Sequence, residues 1–144
     1  MEGTMAYYLT YLYKDFLAYT TKELKDLGLN YGQLPFILYI GKHPDCTQAE
    51  LTKVLQMDWG HSQRSITRLV EEGFLFKHHM ENKDRKCHLL LTEKGERAFA
   101  VSHEVFTSWD QEQCKELDPE EKETLIRLLQ KITSEKEGRK HETV

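Results

Sequence analysis

Along residues 4–26, TMAYYLTYLYKDFLAYTTKELKD, Met5, Leu9, Leu12 and Phe16 recur at helical spacing in a stretch free of glycine and proline. That period predicts a long helix with a wide apolar face, broadened by Tyr8 and Tyr19, and Gly28 is placed to end it. Asn30 followed by Gln33 reads as a capping box for a second helix, with Leu34, Ile37, Leu38 and Gly41 on its inner side. Pro35 falls early in that helix and should kink it or delay its start. His43-Pro44-Asp45 reads as a turn.

Thr47-Gln48-Ala49-Glu50 is a second capping box, and Leu51, Val54 and Leu55 then predict a short helix with these three inward. Asp58 is a good cap for the next helix, WGHSQRSITRLVEEG, with Ile66, Leu69 and Val70 on its inner face and Gly73 as its stop. Two short helices joined by a tight turn make a helix-turn-helix. FLFKHHM and CHLLLT follow as two strand candidates around the polar run ENKDRK, which makes a hairpin, or wing, directly after the second helix. Beyond Gly95, residues 93–116 carry Ala98, Val101, Val105, Phe106 and Trp109 at helical spacing. Asp118-Pro119-Glu120-Glu121 opens a last helix with an apolar stripe of Leu125, Leu128, Leu129 and Ile132, and the tail from Ser134 should fray.

Composition narrows the class. At 144 residues, 31% charged and 39% hydrophobic, the chain is long enough for one domain, or two small subdomains sharing a core. No apolar run approaches a membrane span, no secretory signal is expected, and three scattered cysteines, Cys46, Cys87 and Cys114, are expected as free thiols in a reducing cytoplasm. The net charge of −4 lies in residues 92–144, whereas residues 61–91 hold 6 basic and 4 acidic residues together with His61, His78, His79 and His88. A local positive patch is the electrostatic form a nucleic-acid contact takes.

Opposite the inner face of residues 59–72 lie His61, Gln63, Arg64, Thr67 and Arg68. Glutamine suits adenine, arginine suits guanine, and threonine suits a phosphate or a thymine methyl; any solvated helix face is also polar. The order of elements, and the words TQAEL at 47–51, RLVEEGFL at 68–75, DRK at 84–86 and LTEKG at 91–95, resemble the MarR family of bacterial transcription regulators over residues 5–135. The resemblance implies a winged helix-turn-helix within a homodimer whose first and last two helices interlock, a pseudo-palindromic operator, a repressor role and release by a small molecule. It implies that Thr47 and Gln48 open the helix lying against the DNA backbone, that His61, Gln63, Arg64, Thr67 and Arg68 lie on the recognition helix, and that Arg85 is the wing arginine. Lys83 stands where the family commonly has an acid, with Asp84 adjacent, and Trp59 is unusual near the start of a recognition helix.

His78, His79, Cys87 and His88 lie on paired strands, but neighbours on one strand face opposite ways, so at most a subset converges on a metal. His43 and His103 resemble positions used by metal-sensing relatives, yet Thr107 stands where a further histidine would be needed. Tyr7, Tyr8, Tyr11, Tyr13 and Tyr19 suit either dimer packing or a pocket for a flat ligand. No nucleophile elbow or glycine-rich phosphate loop points to an enzyme.

The expected architecture is mainly α with a small β-hairpin wing: a winged helix-turn-helix at 31–95 and a helical dimerisation region at 1–30 and 96–144. The expected function is a cytoplasmic, non-enzymatic, homodimeric DNA-binding regulator that needs no cofactor. Its partners are double-stranded DNA, a second copy and a small aromatic or apolar effector. Alternatives are a metal-responsive regulator of the same fold or a protein-interaction module. Leu9, Leu12, Phe16, Leu125, Leu128, Leu129 and Ile132 are expected at the dimer interface. Arg85 is expected in a minor groove, with Lys83 and Lys86 on flanking phosphates.

Overall fold

A computed structural model describes residues 1–79 and 86–142, with only the helical backbone from 135 onward. Two compact units divide the chain, Met1–Thr107 and Ser108–Val144. In the first, helix α1 (Met5–Lys25) starts where the Thr4 hydroxyl accepts the Tyr7 amide hydrogen, and of its residues only Thr20 and Leu24 are buried. The Asn30 and Gln33 side chains cap each other's backbone amides, at 3.1 and 3.0 Å. This box opens a 3-10 turn, Tyr31–Gln33, and α2 (Leu34–Lys42) follows with Pro35 in its first turn. Proline therefore delays the helix and does not kink it, because its missing N–H falls where no intrahelical bond is needed.

The hydrophobic pattern gives no sign of β1 (Cys46–Thr47), two residues that pair antiparallel with a strand more than forty residues away. Thr47 also caps α3 (Gln48–Leu55), its hydroxyl accepting the Glu50 amide while Glu50 accepts the Thr47 amide. The inner face of α3 is not the expected one. Leu51 is fully buried and Leu55 half-buried, but Val54 is 58% exposed and Thr52 is buried in its stead. The Thr52 hydroxyl donates to the Gln48 carbonyl at 2.6 Å and lies 2.7 Å from the buried Ser62 hydroxyl. A hydroxyl has one proton, so Ser62 is the donor between the two.

Ser62 lies on α4 (Trp59–Glu71), with Ile66 and Leu69 as its other buried residues. Asp58 caps this helix by accepting the His61 amide at 2.8 Å, and Gly73, at φ +85°, ends it in the left-handed region. Strands β2 (Leu75–His79) and β3 (Cys87–Leu91) pair from Leu75↔Leu91 to His79↔Cys87, and the antiparallel sheet runs β1-β3-β2.

The LTEKG word is a joint. Leu91 enters the core. The Thr92 hydroxyl donates to the Gly73 carbonyl at 2.5 Å and accepts the Gly95 amide at 3.0 Å, which starts α5 (Glu93–Gln113). Lys94 reaches the Glu72 carbonyl at 2.8 Å, close to the end of α4, and lies over the Phe74 ring. Gly95 packs so closely that a β-carbon there would sit 2.1 Å from the Phe74 carbonyl oxygen. Phe36, Ile37, Leu51, Ile66, Leu69, Phe74, Leu89 and Ala98 are among the residues that fill the core between these elements.

In the second unit α6 (Pro119–Glu142) opens with a reciprocal cap between Asp118 and Glu121. None of its described side chains is buried, and Leu125, Leu128 and Ile132 are more than 40% exposed. No described helix is long and apolar enough to cross a membrane.

Candidate nucleic-acid interface

Helix α4 divides as its pattern predicts. Ser62, Ile66 and Leu69 are buried while His61, Gln63, Arg64, Thr67 and Arg68 are all exposed, so five hydrogen-bonding side chains share a face held from behind by the Thr52–Ser62 contact. Arg64 extends back toward the start of the helix, its Nη1 3.2 Å from the point where a Gly60 β-carbon would stand. Arg68 is turned the other way, its Nε 2.8 Å from Glu72 Oε1. That hydrogen bond, helped by one from Gln33 and by Lys94, holds the Glu72 carboxyl below the usual range despite some opposing burial. A phosphate would compete with Glu72 for Arg68, whereas Arg64 has no such acidic partner among the described residues. Trp59, first in the helix, is 53% exposed.

Thr47 and Gln48 sit differently from these exposed residues. Thr47 is buried and its hydroxyl is committed to the cap; Gln48 is half-buried, its Nε2 shielded from solvent without a hydrogen-bond partner among the described residues. In the hairpin Leu89 and Leu91 are buried and Lys77 is exposed. Lys86 is exposed just before β3, and Lys83, Asp84 and Arg85 lie outside the described residues.

Toward the loop end of the hairpin the histidines behave as structural groups. His78 Nε2 meets Asp45 Oδ1, and His88 Nδ1 lies 2.6 Å from the Asp45 carbonyl oxygen. Among the described residues no group of three or more histidines, cysteines and acids is arranged to hold a metal. His43 stacks on Tyr39 at 4.4 Å and His103 lies beside Phe99 at 6.1 Å, so both rings have aromatic neighbours. The three cysteines are free; burial above all pushes the Cys46 thiol up to about 11, so it is not a ready nucleophile. The sequence pattern missed Asp45, Thr52 and Ser62. Only Asp45 left a trace, as the last residue of the turn HPD.

Residues 27–86 match the model of the MarR family. The chain is 40% identical over 138 residues to the HTH-type transcriptional regulator BilQ of Clostridium symbiosum (strain WAL-14163), covering 96% of each chain. The chain belongs to the MarR family. MarR-family regulators also resemble it in three dimensions. A mutant MarR from E. coli complexed with operator DNA has TM-score 0.73 and 26% identity over 89% of this chain and 92% of that one. A MarR-family regulator from Listeria monocytogenes complexed with 26mer DNA has TM-score 0.76, and its 20% identity, over 92% and 88% of the two chains, makes this a likeness of fold alone.

This MarR-family chain is therefore a transcriptional regulator with a DNA-binding fold, and not an enzyme. The matched segment runs from the end of α1 through β2, so it contains the α3–α4 pair and its exposed face.

Proposed function

We propose that the protein is a homodimeric repressor that reads a pseudo-palindromic operator, with α4 in the major groove and the hairpin tip in the neighbouring minor groove. The observation that carries this is the α4 face: His61, Gln63, Arg64, Thr67 and Arg68 are exposed together on a helix whose opposite side is locked into the core. Gln63 and Arg64 supply base discrimination, because their side chains match the donor and acceptor patterns of adenine and guanine. Thr67 and His61 contact the backbone or groove edge. Arg68 binds a phosphate when it leaves Glu72. Thr47 and Gln48 set the start of α3 against the backbone, Thr47 through its cap. Arg85 enters the minor groove and Lys86 grips a phosphate beside it.

The dimer joins α1 and α6 surfaces, with Leu9, Leu12, Phe16, Leu125, Leu128, Leu129 and Ile132 at the interface. The winged helix-turn-helix at 31–95 is then carried by a dimerisation region at 1–30 and 96–144. A small aromatic or apolar effector releases DNA, and the tyrosines of α1 are the residues suited to it: Tyr7, Tyr8, Tyr11 and Tyr13 are all at least 42% exposed. The protein acts in the cytoplasm.

The test is selection of duplexes from a random pool at fixed salt, followed by gel shift. Arg64→Ala should weaken the selected duplex by roughly 1–3 kcal/mol per half-site and random DNA by less. Equal loss on both would make Arg64 a phosphate contact. If the wild-type protein enriched no duplex from the pool, the DNA-binding proposal would fail.

A further inference from the structure

The roles assigned to α4 and the hairpin tip leave one polar cluster unused, where the hairpin meets the helix-turn-helix. Asp45 stands immediately before β1 with φ +67°, in the left-handed region that few residues other than glycine accept readily. Three of its groups are engaged. Its N–H donates to the Leu89 carbonyl at 3.0 Å, its carbonyl accepts from His88 Nδ1 at 2.6 Å, and its carboxylate meets His78 Nε2. A carbonyl can only accept, so His88 carries its proton on Nδ1.

These contacts reach both strands of the hairpin, Leu89 and His88 on β3 and His78 on β2. In the order β1-β3-β2 the outer strands do not pair. The Asp45 carboxylate makes a contact that crosses the central strand to β2. His78 and His88 are ladder partners with ring centres 5.9 Å apart, so the contact runs along a pair already in register. Two residues beyond Asp45 stands Thr47, the cap of α3.

We propose that Asp45 is a positioning residue for DNA binding: it ties the edge strand of the hairpin to the segment that opens α3, and so fixes the wing relative to the reading helix. This rests on the DNA-binding function proposed above. The residue type supports it. Glycine would take a left-handed φ with less strain, and aspartate is used where the side chain also supplies an acceptor.

The experiment compares wild type with Asp45→Gly, Asp45→Asn, His78→Leu and the double variant Asp45→Gly/His78→Leu. The probe is the duplex that wild type selects from a random pool, at one salt concentration. Asp45→Gly keeps both backbone bonds and relieves the strained φ, which offsets the lost carboxylate contact, so its urea midpoint should stay close to that of wild type. Its affinity should nevertheless fall roughly tenfold, which is about 1.4 kcal/mol. Asparagine tolerates the same φ and keeps an acceptor for His78, so Asp45→Asn should stay within about threefold of wild type. The double variant should be no weaker than the weaker single variant, since both changes remove one link. Wild-type affinity in Asp45→Gly, or additive losses in the double variant, would overturn the positioning role while leaving the DNA-binding function standing. Failure of wild type to select any duplex would overturn both.

Discussion

Ser62 and Thr52 show at the scale of single residues that the side chains holding α4 in place are not those exposed on its polar face. Their hydroxyls meet at 2.7 Å in the buried seam between α3 and α4, where an apolar pair of the same size would be equally at home in volume but not in chemistry. Removing the Thr52 hydroxyl leaves the Ser62 donor buried without its acceptor, whereas removing the Ser62 hydroxyl leaves Thr52 still donating to the Gln48 carbonyl, and removing both leaves nothing unsatisfied. Thr52→Val should therefore cost about 1–3 kcal/mol in urea unfolding, and Ser62→Ala less. The double variant should cost clearly less than the two added together. Strict additivity would mean that the contact contributes only through packing. Glu72 makes a related point: its contacts to Arg68 and Gln33 lower its pKa, so this contribution is present above the ordinary carboxylate range and is lost as pH falls through the depressed folded value. The Arg68 side chain is 64% exposed, so the contribution is small.

Among the elements, those with their own caps were legible in the sequence and those made by distant partners were not. The Asn30–Gln33, Thr47–Glu50 and Asp118–Glu121 caps all form, because each needs only residues three apart. Strand β1 exists through its pairing with β3, and two residues carry no period of their own. The inner face of α3 was misread for a similar reason: at eight residues the helix is too short for its period to determine which side faces inward, and the Thr52–Ser62 contact turns Val54 to solvent. The α4 face was legible because thirteen residues separate its polar and apolar sides clearly. The words RLVEEGFL and LTEKG turn out to include the joint between α4, the sheet and α5. Gly95 is its tightest point. Gly95→Ala would place a methyl 2.1 Å from a backbone oxygen and 3.1 Å from Leu91 Cβ, in a site that cannot yield by turning a side chain. The substitution should cost roughly 2–4 kcal/mol, despite alanine's better helix propensity. A urea midpoint equal to wild type would show that α5 shifts freely against β3.

For the whole molecule, the unexplained feature is apolar surface at both ends of the chain. In α1, Leu9 and Leu12 are 42% and 38% exposed, and in α6 Leu125, Leu128 and Ile132 are 42%, 45% and 41% exposed. Helix α6 buries none of its described side chains, although in proteins most helical stability comes from packing an apolar face. The proposed second copy would cover these stripes, and a two-fold dimer would repeat α4 at a fixed distance, as a pseudo-palindrome requires. Deleting residues 119–144 should therefore abolish the dimer in sedimentation, or leave a chain that aggregates through its uncovered α1 face. The charge distribution adds a second readout. Residues 61–91 are net positive in a chain of net charge −4, so phosphate contacts should come from that segment of each subunit. The slope of log affinity against log salt counts those contacts. Loss of the partner should cut that slope to about half its full-length value, because one set of arginines and lysines remains where there were two. A soluble monomeric truncation that bound the palindrome with full affinity and an undiminished slope would show that one subunit makes the whole contact.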